Sequence, residues 1–312
     1  MIRKTLRLRT AAPAQQDVPV THIPVLVYGT AWKKEQTADL VYKAIRAGFR
    51  TIDTAAQPKH YREDLVGSGI RRAIREGIVR RDELYIQTKF TSVAGQDLSN
   101  MPYDPRASIP EQVQASIKSS LHHLRVSETG EGDDDTYIDT LVLHSPLPTL
   151  KDTIEAWTTA ETYVPHRIRN VGVSNCPADV LEALYNFPQV RIKPAVVQNR
   201  FYADTGYDVA VRAFCRQHDM IFQSFWTLTA NLRLLMSRLI ADLADLAGIS
   251  KAAALYALVL GLQNAVILDG TTNDTHMADD LQSLDRVNAL IERNPDAWAA
   301  AMKEFRQLIG DP

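Results

Sequence analysis

Cysteine is scarce in this chain. Cys176 and Cys215 are the only two among 312 residues, too few for a disulfide framework, so a cytoplasmic, reducing setting is expected. Charge of one sign is not in excess either. Lys and Arg number 35 against 37 Asp and Glu, a formal net charge of −2, which excludes the basic footprint of a nucleic-acid-binding chain. There is no apolar run of about 18 residues, so no membrane span is expected. The first 16 residues, MIRKTLRLRTAAPAQQ, are basic and free of acids but have no apolar signal core. They carry Thr but no Ser, so a transit peptide is the alternative to a plain N-terminal extension over 1–23. No GxGxxG separates the first strand from the first helix, which weakens an open doubly wound sheet. His, Cys, Asp and Glu show no metal-ligand spacing, so no metal is expected.

What is present is alternation. Short, apolar, β-branched runs at 24–28, 51–54, 84–89, 138–144, 169–174, 195–200, 220–225 and 266–269 read as eight strands buried on both faces. Between them the period is helical, over 35–47, 56–77, 110–124, 150–163, 177–187, 206–218 and 250–262, with a final helix over 296–308. Gly48 is placed to end the first helix, and Ser250 to cap the start of the seventh. Alternating strand–helix units argue for a parallel α/β sheet, and eight of them for closure into a single-domain (β/α)8 TIM barrel over 24–312. Two insertions stand out. The extended loop 91–109 joins the third strand to the third helix on the catalytic face, as a lid or pocket wall. The acidic run 128–135 falls on the opposite face and reads as a solvated loop.

Barrels place catalytic groups at the C-terminal ends of several strands. Asp53, Lys89 and His144 sit at or just past such ends, in TIDT, YIQTK and TLVLH, and Tyr61 follows the second strand in a short loop. Each has an ordinary reading alone: Asp53 as a helix cap, Lys89 as an ion pair, His144 as a strand-end residue, Tyr61 as packing. Together they suit carbonyl reduction. Tyr61 would donate a proton once Lys89 lowers its pKa from about 10, Asp53 would hold Lys89 charged, and His144 would bond the carbonyl oxygen.

The ordered series Gly29-Thr30 with Trp32, AGFRTIDTA, HYREDLVGSGI, RRDELYIQTKF, IDTLVLHSP, IRNVGVSN and VVQNRFY resembles the aldo-keto reductase family, and a fungal-type subgroup in particular. The resemblance implies an NAD(P)H-dependent oxidoreductase that interconverts an aldehyde or ketone and an alcohol. It makes Asp53, Tyr61, Lys89 and His144 the catalytic set. The expected dinucleotide-binding residues are Gly29, Thr30, Asp53, Ser174, Asn175, Gln198, Ser224, Phe225, Trp226, Gly270, Thr271 and Thr272: the resemblance puts Ser174, Asn175 and Gln198 on the nicotinamide carboxamide, Phe225 or Trp226 would stack without matching the family residue for residue, and the backbone N–H groups of 270–272 would cradle phosphate at a helix start. Trp32, Tyr61, His144 and Phe90 become the substrate pocket.

The pattern departs from the family in three places. Tyr61 follows Asp53 by eight positions, more than is usual, because AQPKH is inserted. The seventh strand ends QSFWTL, with Gln223 where the family's stacking Tyr is expected and Phe225 or Trp226 as substitutes. The eighth ends VILDGTTNDTH, with Asp269 and Gly270 where a Lys-Ser pair usually reads the 2′-phosphate of NADP(H). The resemblance implies NADP(H), and because a carboxylate there repels phosphate, NAD(H) is the alternative. The expected partner is a small carbonyl or alcohol substrate, and the expected state a monomer or weak homo-oligomer. Two other functions compete: a dinucleotide-binding regulatory or redox-sensing barrel with little turnover, and a cofactor-free hydrolase or isomerase using Asp53 and His144.

Overall fold

The computed structural model describes residues 1–9, 21–127 and 136–311; the acidic run 128–135 lies outside them. Two short strands, β1 (Thr5–Arg7) and β2 (His22–Pro24), pair antiparallel just ahead of the first barrel strand. The barrel consists of β3 (Leu26–Gly29), β4 (Thr51–Asp53), β5 (Tyr85–Phe90), β6 (Ile138–Leu143), β7 (Ile168–Ser174), β8 (Val196–Arg200), β9 (Ile221–Phe225) and β10 (Ala265–Asp269). All neighbours pair in parallel, and β10 closes onto both β3 and β9. This is the expected (β/α)8 barrel, with strand ends within a residue or two of those read from the sequence. Its strands are buried on both faces: every residue of β5 and β6 is buried.

The outer helices are α1 (Thr37–Ala47), α2 (Glu63–Arg75), α3 (Ile109–His123), α4 (Leu150–Glu161), α5 (Ala178–Asn186), α6 (Val209–Gln217), α7 (Leu232–Leu235), α8 (Arg238–Ala247), α9 (Lys251–Leu260), α10 (Asp274–Arg293) and α11 (Pro295–Leu308). Caps explain several starts. Ser108 and Glu111 form a reciprocal box at α3, and the Ser250 hydroxyl accepts from the Ala253 N–H at α9. Gly172 in β7 is required by close approach, since a Cβ there would lie 2.3 Å from Val196 Cγ2. After α11, Asp311 is buried and its Oδ2 accepts from Arg212 Nη1 at 2.8 Å, which pins the chain to α6. Among the described residues, no single helix is long and apolar enough to cross a membrane.

Three helices, α7, α8 and α10, were not anticipated, and the helix expected over 56–77 starts later than read. Residues 54–62 are not helical, because Pro58 disfavours a helical Gln57. Instead, the His60 and Tyr61 N–H groups donate back to the Gln57 carbonyl. This turn absorbs the insertion between Asp53 and Tyr61.

Candidate active site

The strand ends enclose a cavity of about 730 Å³, within the range of roughly 300–1,000 Å³ typical of small-molecule sites. At its base is a polar network spanning the barrel. Lys89 Nζ donates to Asp53 Oδ2 at 2.5 Å and to the Thr54 carbonyl at 2.9 Å. Asp53 Oδ1 accepts from Gln87 Nε2 at 2.7 Å and from Gln198 Nε2 at 3.0 Å. Gln223 closes the network: its Oε1 accepts from Gln87 and Gln198, each at 2.8 Å, and its Nε2 returns a bond to Gln87 Oε1. Lys89 is only 1% exposed. Burial opposes its charge, but Asp53 and Tyr61 outweigh burial and hold the ammonium above the usual lysine range.

Tyr61 lies over this base, with its ring centroid 5.1 Å from Lys89 Nζ and 5.9 Å from the His144 ring. The simple expectation of a lowered pKa needs correction. Burial raises it, Lys89 lowers it, Asp53 raises it again, and the net direction is up. The resting phenol is therefore protonated. His144 has the opposite shift. Burial, then Lys89 and His60, push its pKa down to about 3, so the ring is neutral at pH 7. Its Nδ1 is 2.7 Å from Thr91 Oγ1. With the hydroxyl donating, the ring proton sits on Nε2.

Around the rim, Gly29, Trp32, Ser174, Asn175, Gln198, Phe225, Trp226, Gly270 and Thr271 line the cavity. Asn175 Nδ2 donates to the His144 carbonyl at 2.9 Å, and Ser174 Oγ donates to the Gln198 carbonyl at 2.6 Å. Trp32 and Trp226 are 63% and 51% exposed. Both have left-handed backbones, at φ 66° and 58°, a conformation costly for bulky residues and concentrated at functional sites.

Other anticipated residues fall elsewhere. Phe90 does not line the cavity. Strand alternation turns Lys89 inward and Phe90 outward, where its ring packs 5.8 Å from Tyr103. Thr30 is buried, its hydroxyl donating to the Asp53 carbonyl, and Ser224 is buried against Thr227. Thr272 is exposed outside the cavity wall. Gln223 does not occupy the position of a stacking ring; it lies one layer below, and Phe225 reaches the mouth. Loop 91–109 supplies no residue to the cavity wall among those described. It buttresses the inserted turn instead, through Gln57 Nε2 to the Gly95 carbonyl and Gln96 Nε2 to the Ala56 carbonyl. Sequence reading missed Gln87 and Thr91. Gln87 sits on the inward face of the same strand as Lys89, and period-2 spacing could have found it.

Asp269 also differs from expectation. It lines the cavity but is 2% exposed. Its Oδ1 accepts from the Thr271 N–H at 3.0 Å. Burial raises its pKa. Burial and then Asp269 hold the neighbouring Asp280 up at about 8.

Residues 26–232 match the model of the Aldo/keto reductase family. The chain belongs to that family. An uncharacterised oxidoreductase of Schizosaccharomyces pombe is 30% identical over 83% of this chain and 82% of that one. An NADPH-dependent D-xylose reductase of Meyerozyma guilliermondii is 29% identical over 56% of each chain. An NAD(P)H-dependent D-xylose reductase of Pachysolen tannophilus is 29% identical over 56% of this chain and 55% of that one. The match thus spans about half the length of these xylose reductases. In fold, a Bombyx mori aldo-keto reductase solved in complex with NADP superposes with a TM-score of 0.66 at 22% identity, over 87% of this chain and 89% of that one. As a member of that family the chain is an oxidoreductase.

Proposed function

We propose that the chain reduces an aldehyde or ketone to an alcohol, reversibly, with Tyr61 as the proton donor. The observation that carries this reading is the buried Lys89–Asp53 pair set beneath a protonated Tyr61 and beside a neutral His144, on the wall of one cavity. A bound reduced nicotinamide would supply the hydride. The residues present fit such a group: Ser174, Asn175 and Gln198 present amides and a hydroxyl, Phe225 and Trp226 offer ring faces, and Gly29, Gly270 and Thr271 leave room along the wall. Burial keeps Tyr61 loaded with its proton. As the carbonyl oxygen gains negative charge, Tyr61 releases that proton to it, and the Lys89 ammonium stabilises the phenolate left behind. His144 Nε2–H holds the same oxygen, while Asp53 keeps Lys89 charged and fixed.

For the cofactor, the reading is that NAD(H) binds at least as well as NADP(H). Asp269, Asp279 and Asp280 all line the β10–α10 end of the cavity, with no Lys or Arg among the lining residues there. A 2′-phosphate at that end meets a wall with no guanidinium or ammonium, where burial and Asp269 already hold the Asp280 pKa up at about 8. The reading includes a cytoplasmic setting, which suits two free, buried cysteines, and a monomer or weak homo-oligomer.

Parallel titration of the purified protein with NADH and NADPH tests the cofactor. Tyr61→Phe tests the chemistry. Turnover should fall about 10²- to 10⁴-fold, with dinucleotide Kd unchanged. NADPH binding far tighter than NADH overturns the cofactor reading, and binding of neither overturns the whole.

A further inference from the structure

Arg200 is the one arginine or lysine among the residues that line the cavity. Four aspartates line the same cavity: Asp53, already committed to Lys89, and Asp269, Asp279 and Asp280 at the far end. Two other arginines with little exposure hold carboxylates. Arg81 Nη2 is 2.8 Å from Asp139 Oδ2, and Arg212 Nη1 is 2.8 Å from Asp311 Oδ2. Arg200 has no such partner among the described residues, and its Nε is buried without a hydrogen bond. Its guanidinium lies instead over aromatic faces, 4.6 Å from the Trp226 ring centroid and 5.9 Å from that of Phe225.

The local fold explains this placement. Arg200 is the last residue of β8 and is paired in register with Phe225, the last residue of β9. The next residue, Trp226, turns through its left-handed backbone and places its ring against the guanidinium. Stacking fixes the plane of an arginine fork but leaves its edge donors unpaired, and those donors match a phosphate or a carboxylate two at a time. A cation without a carboxylate on a cavity wall lacks the partner that buried charge normally has.

We propose that Arg200, held by Trp226, is an anion-recognition residue of this cavity, binding an oxyanion carried by a ligand that lies across the barrel mouth. The oxyanion is either a phosphate of the dinucleotide or a carboxylate on the carbonyl substrate. Both present the same paired oxygens. The site also polarises the cavity. An anionic group is drawn to the β8–β9 side, because the β10 and α10 side offers no lysine or arginine in the wall. This inference rests on the functional reading above, in that it takes this cavity as the ligand site.

The test is calorimetric binding to wild type, Arg200→Gln and Arg200→Lys. The first variant removes the charge. The second keeps it without the fork, so it keeps the question decidable if the glutamine variant folds poorly. NADH is one ligand, with reduced nicotinamide riboside as its phosphate-free control. Benzoate added to NADH-saturated protein is the other, with benzamide as its uncharged control. Losing a charge-assisted pair should weaken the responsible anion about 10- to 100-fold, with lysine restoring only part. The uncharged controls should not move. Weakened NADH assigns Arg200 to a phosphate of the dinucleotide. Weakened benzoate with unchanged NADH assigns it to a substrate carboxylate. Both anions binding the glutamine variant as they bind wild type overturns the proposal. A wild-type protein that binds no dinucleotide sinks the functional reading instead, and the benzoate comparison then decides Arg200 alone.

Discussion

Replacing Lys89 by Met removes an ammonium while keeping most of the side-chain volume. Lys89 is 1% exposed and bonds Asp53 at 2.5 Å, so the change leaves a buried carboxylate facing a methyl group. Removing one partner of a buried pair costs about 3–5 kcal/mol. Asp53 keeps two N–H donors, from Gln87 and Gln198, which puts the loss near the lower end, about 3 kcal/mol. For a chain of 312 residues that lowers Tm by roughly 5 °C. The double variant Asp53→Asn with Lys89→Met should recover at least half of the loss, because Asn keeps an oxygen for Gln87 and Gln198 without the stranded charge. Turnover should fall about 10²-fold or more in both variants, since neither retains an ammonium to stabilise the Tyr61 phenolate. Thermal unfolding and turnover measured on the same preparations check each part. A Lys89→Met protein melting within about 2 °C of wild type, or a double variant less stable than the single one, would refute the reasoning.

His144 makes stability depend on pH. Its folded pKa, about 3, lies below the unfolded value of 6.5. Its stabilising contribution is therefore present above about pH 6.5 and is lost as pH falls toward 3. Unfolding curves at pH 7 and pH 4 should show a smaller acid loss for His144→Gln than for wild type, and an equal loss would contradict a neutral buried ring. Thr91→Val deletes the hydroxyl beside His144 Nδ1. Turnover should drop about tenfold with little change in dinucleotide Kd, and an unchanged rate would show that Thr91 does not set the tautomer. Asp311→Ala strands Arg212 in the interior, at a cost of about 3–5 kcal/mol. Denaturant titration should register this while activity per folded molecule stays near wild type.

The eight strands were legible because residues buried on both faces of a parallel sheet read as unbroken apolar runs. The gathering of Asp53, Lys89 and His144 was legible because strand ends deliver them, with Tyr61 supplied by the loop after Asp53. Less visible was anything set by contacts far apart in sequence. Gln87 and Gln223 meet across 136 positions, and no spacing along the chain announces that. Phe90 was misplaced although the needed rule was at hand: once Lys89 faces inward, its neighbour must face outward. The expected helix began too early, at 56, because Leu65, Ile70 and Ile74 set a helical period downstream, while Pro58 should have stopped its extension backward. The direction of the Tyr61 shift could not be read from residue types, because it depends on burial outweighing Lys89.

The glutamines inside the barrel have a consequence beyond holding Asp53. An ionised carboxylate only accepts, so it turns the amide nitrogens of Gln87 and Gln198 toward itself. Gln223 must then present its oxygen to both of those nitrogens and its nitrogen to Gln87 Oε1. One negative charge on β4 thereby sets the sense of every amide dipole as far as β9, the strand whose last residue is Phe225. An asparagine in place of Asp53 would bring a donor of its own and remove that bias. The hydrogen-bond sense of the interior is thus set at one residue and carried across the barrel by three glutamines.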